Sequence, residues 1–204
     1  ICQSSRKLVT NCEFVKICVC FSCFFTNILV LCTIIDMLSE KFGFSSDDSG
    51  FFGTMNIAGG FIGSLCFGFF LKQFKLYKLA NVSVGVLCVA STIGFYFALL
   101  TETKWVVTVA YSLCGFAAFS TLNVSFSYSS EITFPINEAT STGLLLLGSQ
   151  LLGFACTNLC TELMNMMDRL DGTTSCFAVL ITVNVVGTLS AITMKPIRED
   201  NESS

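Results

Sequence analysis

The chain has 204 residues, of which 53% are hydrophobic and only 12% are charged. Soluble domains usually carry about a quarter charged residues, so this composition argues against an ordinary soluble protein. The formal net charge of −3, with no basic stripe interleaved with aromatics, gives no indication of a nucleic-acid partner. The mean hydropathy of +0.74 favours a protein whose solvent is a lipid bilayer.

Charged residues divide the sequence into six blocks that are nearly free of charge. These blocks are 17–38, 51–71, 79–100, 105–130, 139–161 and 172–194. About 20 residues of helix cross a hydrocarbon core, so each block is long enough to be one span. The blocks are too long for membrane strands and do not alternate in polarity. We therefore predict an all-α membrane protein, with a six-helix domain over 17–194 between an N-terminal segment 1–16 and a tail 195–204.

Basic residues are unequally shared between the two sides that six spans define. One side has Arg6, Lys7, Lys16, Lys72, Lys75, Lys78, Lys195 and Arg198, and the other has Lys41, Lys104 and Arg169. Positive charge accumulates in short cytoplasmic loops, so we expect both termini in the cytoplasm. A glycan on Asn201, which begins an N-x-S sequon, would reverse this topology. The plasma membrane and an organelle membrane remain open alternatives.

The two halves of the domain show a weak internal repeat. A shift of 90 residues places Gly53 over Gly143 and Gly63 over Gly153 in spans two and five, and it also aligns Ala58 with Gly148 and Gly59 with Ser149. Six-helix transporter halves are built from such three-plus-three inverted repeats. The pattern therefore predicts two pseudo-equivalent triplets of helices.

Small residues form a stripe along span two. Gly60, Ser64 and Gly68 recur at four-residue spacing, with Gly59 and Gly63 beside them. Small residues let helix backbones approach closely in lipid, so the stripe predicts tight helix packing. A contact that moves against another helix bundle is the alternative.

Three amide side chains lie near the middle of predicted spans. Asn27 is in span one, Gln150 in span five and Asn184 in span six. An unpaired amide is costly in hydrocarbon, so these residues predict either a shared polar cavity that binds substrate or separate hydrogen bonds between helices. Gln150 is the residue that we favour most for substrate binding.

The connector between spans four and five has a carboxylate near each end. Glu131 and Glu138 flank Pro135, and Asn137 is placed to cap span five with Glu138 in its first turn. We expect this connector to be a cytoplasmic turn that takes part in packing or conformational change, together with Gly143 just beyond it.

Motifs for enzymes or cofactors are missing from the sequence. Cys20 and Cys23 form a CxxC, but the chain has no histidine and no second CxxC, so a metal or redox role is disfavoured. The sequence also lacks a phosphate loop, a GxSxG elbow and HExxH. We predict no cofactor, no metal and no enzymatic activity.

The segments IAGGFIGSLCFGFFLKQFKLYK (57–78) and EITFPINEATSTGLLLLGSQLLG (131–153) resemble a known family. They are similar to the carboxy-terminal six helices of a major facilitator superfamily transporter, closest to the feline leukemia virus subgroup C receptor-related group linked to haem, choline and related solutes. The second segment follows that group's pattern at Glu131, Thr133, Pro135, Glu138, Thr140, Ser141, Gly143 and Gln150. The resemblance implies that Gln150 faces a central cavity and contacts substrate.

Two departures from the family pattern stand out. Lys72 replaces the aspartate of the superfamily loop motif, and Leu29 stands where relatives place a cavity aromatic. The aromatic matters because a cationic substrate needs an aromatic face.

The resemblance implies transport of a small organic solute by alternating access. Because the chain begins at Ile1 rather than methionine, we expect it to be a piece of a longer protein, with an N-terminal six-helix half or a second subunit as partner. The alternative function is a non-transporting membrane subunit or receptor that has kept the fold.

Overall fold

The computed structural model describes residues 11–74 and 76–195. They form six α-helices: α1 Cys12–Lys41, α2 Ser46–Phe74, α3 Tyr77–Leu100, α4 Lys104–Thr133, α5 Glu138–Met166 and α6 Arg169–Ile192. All six are long and apolar enough to cross a membrane. The prediction of an all-α protein with six transmembrane helices is confirmed.

The helices differ in extent from the predicted spans. Residues 12–16, predicted as part of an N-terminal segment, belong to α1, and α6 ends at Ile192 rather than at 194. The other helices run past the apolar blocks because charged and polar residues at helix ends satisfy free backbone groups without ending the helix. Asn137 caps α5, as predicted, by accepting a hydrogen bond from the Ala139 amide at 2.9 Å, and Asn11, which was not predicted as a cap, accepts one from the Glu13 amide at 3.0 Å at the start of α1.

The helices pack in two layers. In the first layer α2 contacts α4, α4 contacts α1 and α1 contacts α5, so the order is α2, α4, α1, α5. The second layer is the pair α3 and α6, which pack against each other and against α4 and α1. Because α1 and α4 have neighbours on three sides, their spans are the most buried, at 67% and 50%, against 28% for the flanking α2 and α5.

This packing follows the predicted repeat. The repeat exchanges α1 with α4, α2 with α5 and α3 with α6. Under this exchange the extensive α2–α4 contact corresponds to the α5–α1 contact. The exchange converts the α3–α4 contact into α6–α1 in the same way. The aligned positions agree as well, because Gly59 and Ser149 are both buried, as are Gly63 and Gly153. The three-plus-three arrangement is therefore visible in the helix contacts.

Charged residues are sorted between the two ends of the bundle. At one end the Lys104 ammonium pairs with Asp48, the Arg169 guanidinium pairs with Glu102, and Lys41 donates to the carbonyl of Met164. At the other end the Lys16 ammonium pairs with Glu13 at 2.8 Å, and Glu13 also accepts from the amide of Lys195.

The residues predicted on opposite sides therefore lie at opposite ends. Which end is cytoplasmic stays a prediction. Arg6, Lys7, Lys75, Arg198 and Asn201, which contributed to it, lie outside the described residues.

Candidate functional site

The small-residue stripe of α2 lies directly against α4. A Cβ atom added to Gly63 would collide with the backbone carbonyl of Phe116, and one added to Gly60 would collide with the ring of Phe119. Gly59 likewise faces the backbone of Ser112. Only glycine allows this approach, so the predicted stripe forms a close contact between two helix backbones.

Two asparagines bridge the same contact, and the sequence analysis missed their role. The Asn56 amide on α2 donates to the backbone carbonyl of Tyr111 on α4 at 2.8 Å. In the other direction, the Asn123 amide on α4 donates to the carbonyl and the hydroxyl of Ser64, both at 2.7 Å. For Asn56 the missed signal was an amide one turn before the glycines of the stripe, where a neighbouring backbone comes within reach; no such signal marks Asn123, which lies on the opposite helix.

The stripe weakens towards the C-terminal end of α2. A Cβ on Gly68 would lie 3.5 Å from the Asn123 amide nitrogen, an ordinary van der Waals contact. Gly68 is therefore not required for close approach, and the tight part of the seam runs from Gly59 to Ser64.

Gly143 has no close neighbour within the described bundle, so its predicted role in packing or conformational change stays a prediction. A Cβ there would meet nothing within 4 Å among the described residues, and the same holds at Gly53, its partner in the repeat. Both positions lie on flanking helices, where the described part of the chain supplies no neighbour. The family pattern alone suggested packing at Gly143, and in the bundle it points into open space.

The three mid-span amides differ in burial and in hydrogen-bond partners. Asn27 is buried and its amide donates to the hydroxyl of Thr92 on α3 at 2.9 Å, while the buried Asn184 amide donates to the Leu180 carbonyl of its own helix at 3.0 Å. Gln150, in contrast, is exposed on α5. Asn27 therefore matches the alternative of a hydrogen bond between helices, and Gln150 is the amide that faces outward.

Gln150 lies in an exposed stripe of α5. Leu147 and Phe154 are one turn away on either side and are also exposed, Phe154 to 74%. Residues three and four apart share a helix face, so the amide sits between an aliphatic side chain and an aromatic ring. This stripe could hold a small molecule through one amide and one aromatic face.

The contact between α1 and α5 places Leu29 close to Gln150. The Cδ1 atom of Leu29 lies 2.7 Å from where a Cβ of Gly153 would be, and Gly153 is one turn from Gln150. Phe25, one turn earlier on α1, is partly buried and stacks on Phe21 with ring centroids 5.4 Å apart. The position where the family resemblance implies an aromatic thus lies beside the Gln150 turn, and Leu29 contacts the helix at Gly153.

The connector between α4 and α5 is exposed at Glu131, Pro135 and Glu138. The Tyr77 hydroxyl at the start of α3 donates to the Glu131 carboxylate at 3.3 Å, which ties the ends of α3 and α4 together. Glu138 begins α5 and lies near the positive end of the helix dipole. The two carboxylates therefore have different surroundings.

These features define a class, a multi-pass α-helical membrane protein built as two pseudo-equivalent triplets of helices. The chain is 28% identical over 188 residues to an uncharacterized MFS-type transporter of Caenorhabditis elegans, covering 90% of this chain and 31% of that protein. It is 26% identical over 170 residues to the choline/ethanolamine transporter flvcr2a of Danio rerio, covering 83% and 36%. No family model matches the chain.

More particularly, the relatives include the feline leukemia virus receptor-related transporters recognised in the sequence. A Felis catus choline/ethanolamine transporter is 28% identical over 156 residues, which cover 76% of this chain and 28% of that protein. The predicted resemblance to major facilitator transporters is therefore confirmed. The chain spans about a third of the length of the curated relatives it matches.

Proposed function

We propose that this chain is one half of a facilitator-type carrier that moves a small organic solute across a membrane by alternating access. The observation that carries the proposal is the exchange symmetry of the helix contacts, in which α2–α4 and α5–α1 are counterparts, in a chain whose relatives are named as transporters. Such inverted repeats let one half rock against the other around a site near mid-membrane.

Gln150 is the residue proposed to contact the solute. Its side chain is exposed, and among the described residues it forms no hydrogen bond between helices. Phe154, one turn further along α5, offers an exposed ring on the same face. An aromatic face can hold a cation, so the loss of the aromatic at Leu29 does not remove every candidate for that role. Choline and ethanolamine, named for several relatives, are therefore the first solutes to assay.

A second six-helix body is the proposed partner. The flanking helices α2 and α5 carry large exposed apolar side chains at repeat-related positions, Ile57 with Leu147 and Phe61 with Leu151. One half supplies only one wall of a mid-membrane site, so a partner half or a second subunit completes it.

Uptake of radiolabelled choline and ethanolamine into vesicles tests the proposal, using the chain together with its partner half. We expect Gln150→Ala to reduce uptake by about tenfold or more, since removing one hydrogen bond to a bound polar solute costs about 1.4 kcal/mol. Thr182→Ala is the control, because this exposed hydroxyl lies on α6, outside the proposed site, and donates to the Ala178 carbonyl of its own helix at 2.8 Å. Equal uptake by both variants would contradict the role of Gln150.

The alternative, a membrane subunit or receptor that does not transport, is favoured by one observation. Lys72, which replaces the aspartate of the superfamily loop motif, is exposed and forms no salt bridge within the described residues. If the parent chain moves no solute in any uptake experiment but still reaches the membrane folded, this alternative replaces the carrier.

A further inference from the structure

The helix α1 carries a stripe of exposed and half-exposed residues on the side that its main neighbours leave uncovered. These neighbours, α4, α5 and α6, occupy the other three sides. The stripe recurs with the helical period, at Phe25, Leu29, Cys32, Thr33 and Asp36. We call these five residues the open stripe, and they face the side of the four-helix layer opposite α3 and α6.

Asp36 is the charged member of the open stripe and is itself exposed. It lies before the end of α1 at Lys41, at a distance of about 8 Å along the helix axis. Ionisable residues within membrane spans are costly, and they typically face a cavity and mark a pathway for a solute or an ion. The position of Asp36 on the open side therefore indicates a role in binding.

A buried hydroxyl orients the carboxylate of Asp36. The Ser49 side chain, in the first turn of α2, is 2% exposed, and its hydroxyl is hydrogen-bonded to Oδ1 of Asp36. This contact joins α1 to α2 and fixes one of the two carboxylate oxygens. The other oxygen, Oδ2, accepts no hydrogen bond from the described residues, so it is available to a ligand.

The basic residues at this end of the bundle are engaged elsewhere. Lys104 and Arg169 form salt bridges with other carboxylates, and Lys41 donates to a backbone carbonyl. No salt bridge between described residues includes Asp36. Glu40, one turn further along α1, adds a second exposed negative charge. The charge that complements Asp36 is therefore that of a cation from outside the described chain.

We propose that Asp36 selects cationic solutes by attracting an ammonium group to the open side of the layer. The inference rests on the proposed transport function and adds a charge-selecting residue to the same site. Asp36 is two turns, about 10 Å, beyond Leu29 along α1, and Leu29 contacts α5 one turn beyond Gln150. Asp36 is thus nearer to the end of the bundle than Gln150, and a solute that enters from that end meets the carboxylate first.

Cys32 is a reporter of this charge, because it is an exposed thiol one turn before Asp36 on the open stripe. The chain with its partner half is reconstituted in vesicles and treated with a positively or a negatively charged methanethiosulfonate, and mass spectrometry follows the labelling of Cys32. The ratio of the two rates cancels the fraction of thiolate. Two unit charges about 6 Å apart in water change each rate about threefold, so Asp36→Asn should lower the ratio of positive to negative reagent about tenfold.

Two variants are controls for this ratio. Asp36→Glu keeps the charge and should keep the ratio of the parent chain. Glu40→Gln removes the same charge from the same helix, but two turns or about 12 Å from Cys32, which exceeds the Debye length of about 8 Å at physiological ionic strength. Its ratio should therefore stay close to that of the parent, and circular dichroism shows whether each variant keeps its helices.

Binding is measured with the same reporter, using tetramethylammonium as the cation and tert-butanol as a neutral molecule of similar size. Tetramethylammonium should protect Cys32 of the parent chain from an uncharged methanethiosulfonate, and Asp36→Asn should raise the protecting concentration about tenfold, with no such change for tert-butanol. An unchanged labelling ratio in Asp36→Asn, or protection by the cation that is absent or equal in parent and variant, would overturn the inference. A parent chain that shows both effects but takes up no solute would contradict the carrier function and leave Asp36 as a cation-binding residue.

Discussion

The two repeat-related seams of the bundle, α2–α4 and α1–α5, are built differently. In the first, glycines bring the two backbones into contact, and Asn56 and Asn123 bridge them with hydrogen bonds. In the α1–α5 seam the glycines contact side chains instead: Gly148 faces the hydroxyl of Ser22, and Gly153 faces the end of the Leu29 side chain. Side chains can change rotamer while backbones cannot, so the first seam is the more rigid one.

The largest expected effect is at Gly115, on the rigid seam. A Cβ added there would lie 2.1 Å from the backbone carbonyl oxygen of Asn56, so Gly115→Ala forces α2 and α4 apart. Overpacking of this kind costs about 2 to 3 kcal/mol, and the detergent-solubilised variant should lose its helical circular dichroism at a clearly lower temperature.

Gly94→Ala is its control, since that substitution enters open space on a neighbouring helix. If both variants melted alike, the rigidity assigned to the α2–α4 seam would be wrong.

A smaller effect is expected at Asn123, which holds the same seam through its amide. Asn123→Ala removes both hydrogen bonds to Ser64 and leaves the serine carbonyl and hydroxyl to find other partners. Hydrogen bonds between membrane helices are worth about 0.6 to 1.7 kcal/mol, so we expect a loss in unfolding free energy of about 1 kcal/mol.

Reversible unfolding in mixed micelles measures this loss. Asn158→Ala serves as the comparison, because that amide bonds only within its own helix. A loss as large for Asn158→Ala would show that the contact between helices is not what the amide of Asn123 contributes.

The sequence was sufficient for the architecture because hydropathy and length act on every residue of a span. The same local argument located the cap at Asn137 and the stripe from Gly59 to Ser64. It could not separate the amides, because Asn27 and Gln150 are equally polar in equally apolar helices. Which of them is buried depends on how α1 and α5 are rotated within the layer, and that rotation follows from contacts distant in sequence.

On the α1–α5 seam, Gly153→Ala should lower the free energy of unfolding by less than about 1 kcal/mol. The added methyl group meets Leu29 Cδ1 at 2.7 Å, the end of a side chain that can rotate away. A double-mutant cycle with Leu29→Ala, followed by chemical unfolding in micelles, checks this: the smaller side chain at 29 should remove the remaining cost. A cost that persists in the double variant would mean that the backbone, rather than Leu29, sets the α1–α5 distance.

The smallest effect on the isolated bundle is expected at Gly143, where the described residues leave open space. Gly143→Ala replaces a helical glycine, which favours the helix by up to about 1 kcal/mol, so the thermal midpoint should stay the same or rise slightly. The informative comparison is with uptake by the chain and its partner half, using Gly143→Leu and the repeat-related Gly53→Leu. If either variant leaves the bundle stable but abolishes uptake, that glycine faces the other half and the α5 or α2 flank is the moving interface. Unchanged uptake for both would place the interface elsewhere on the bundle.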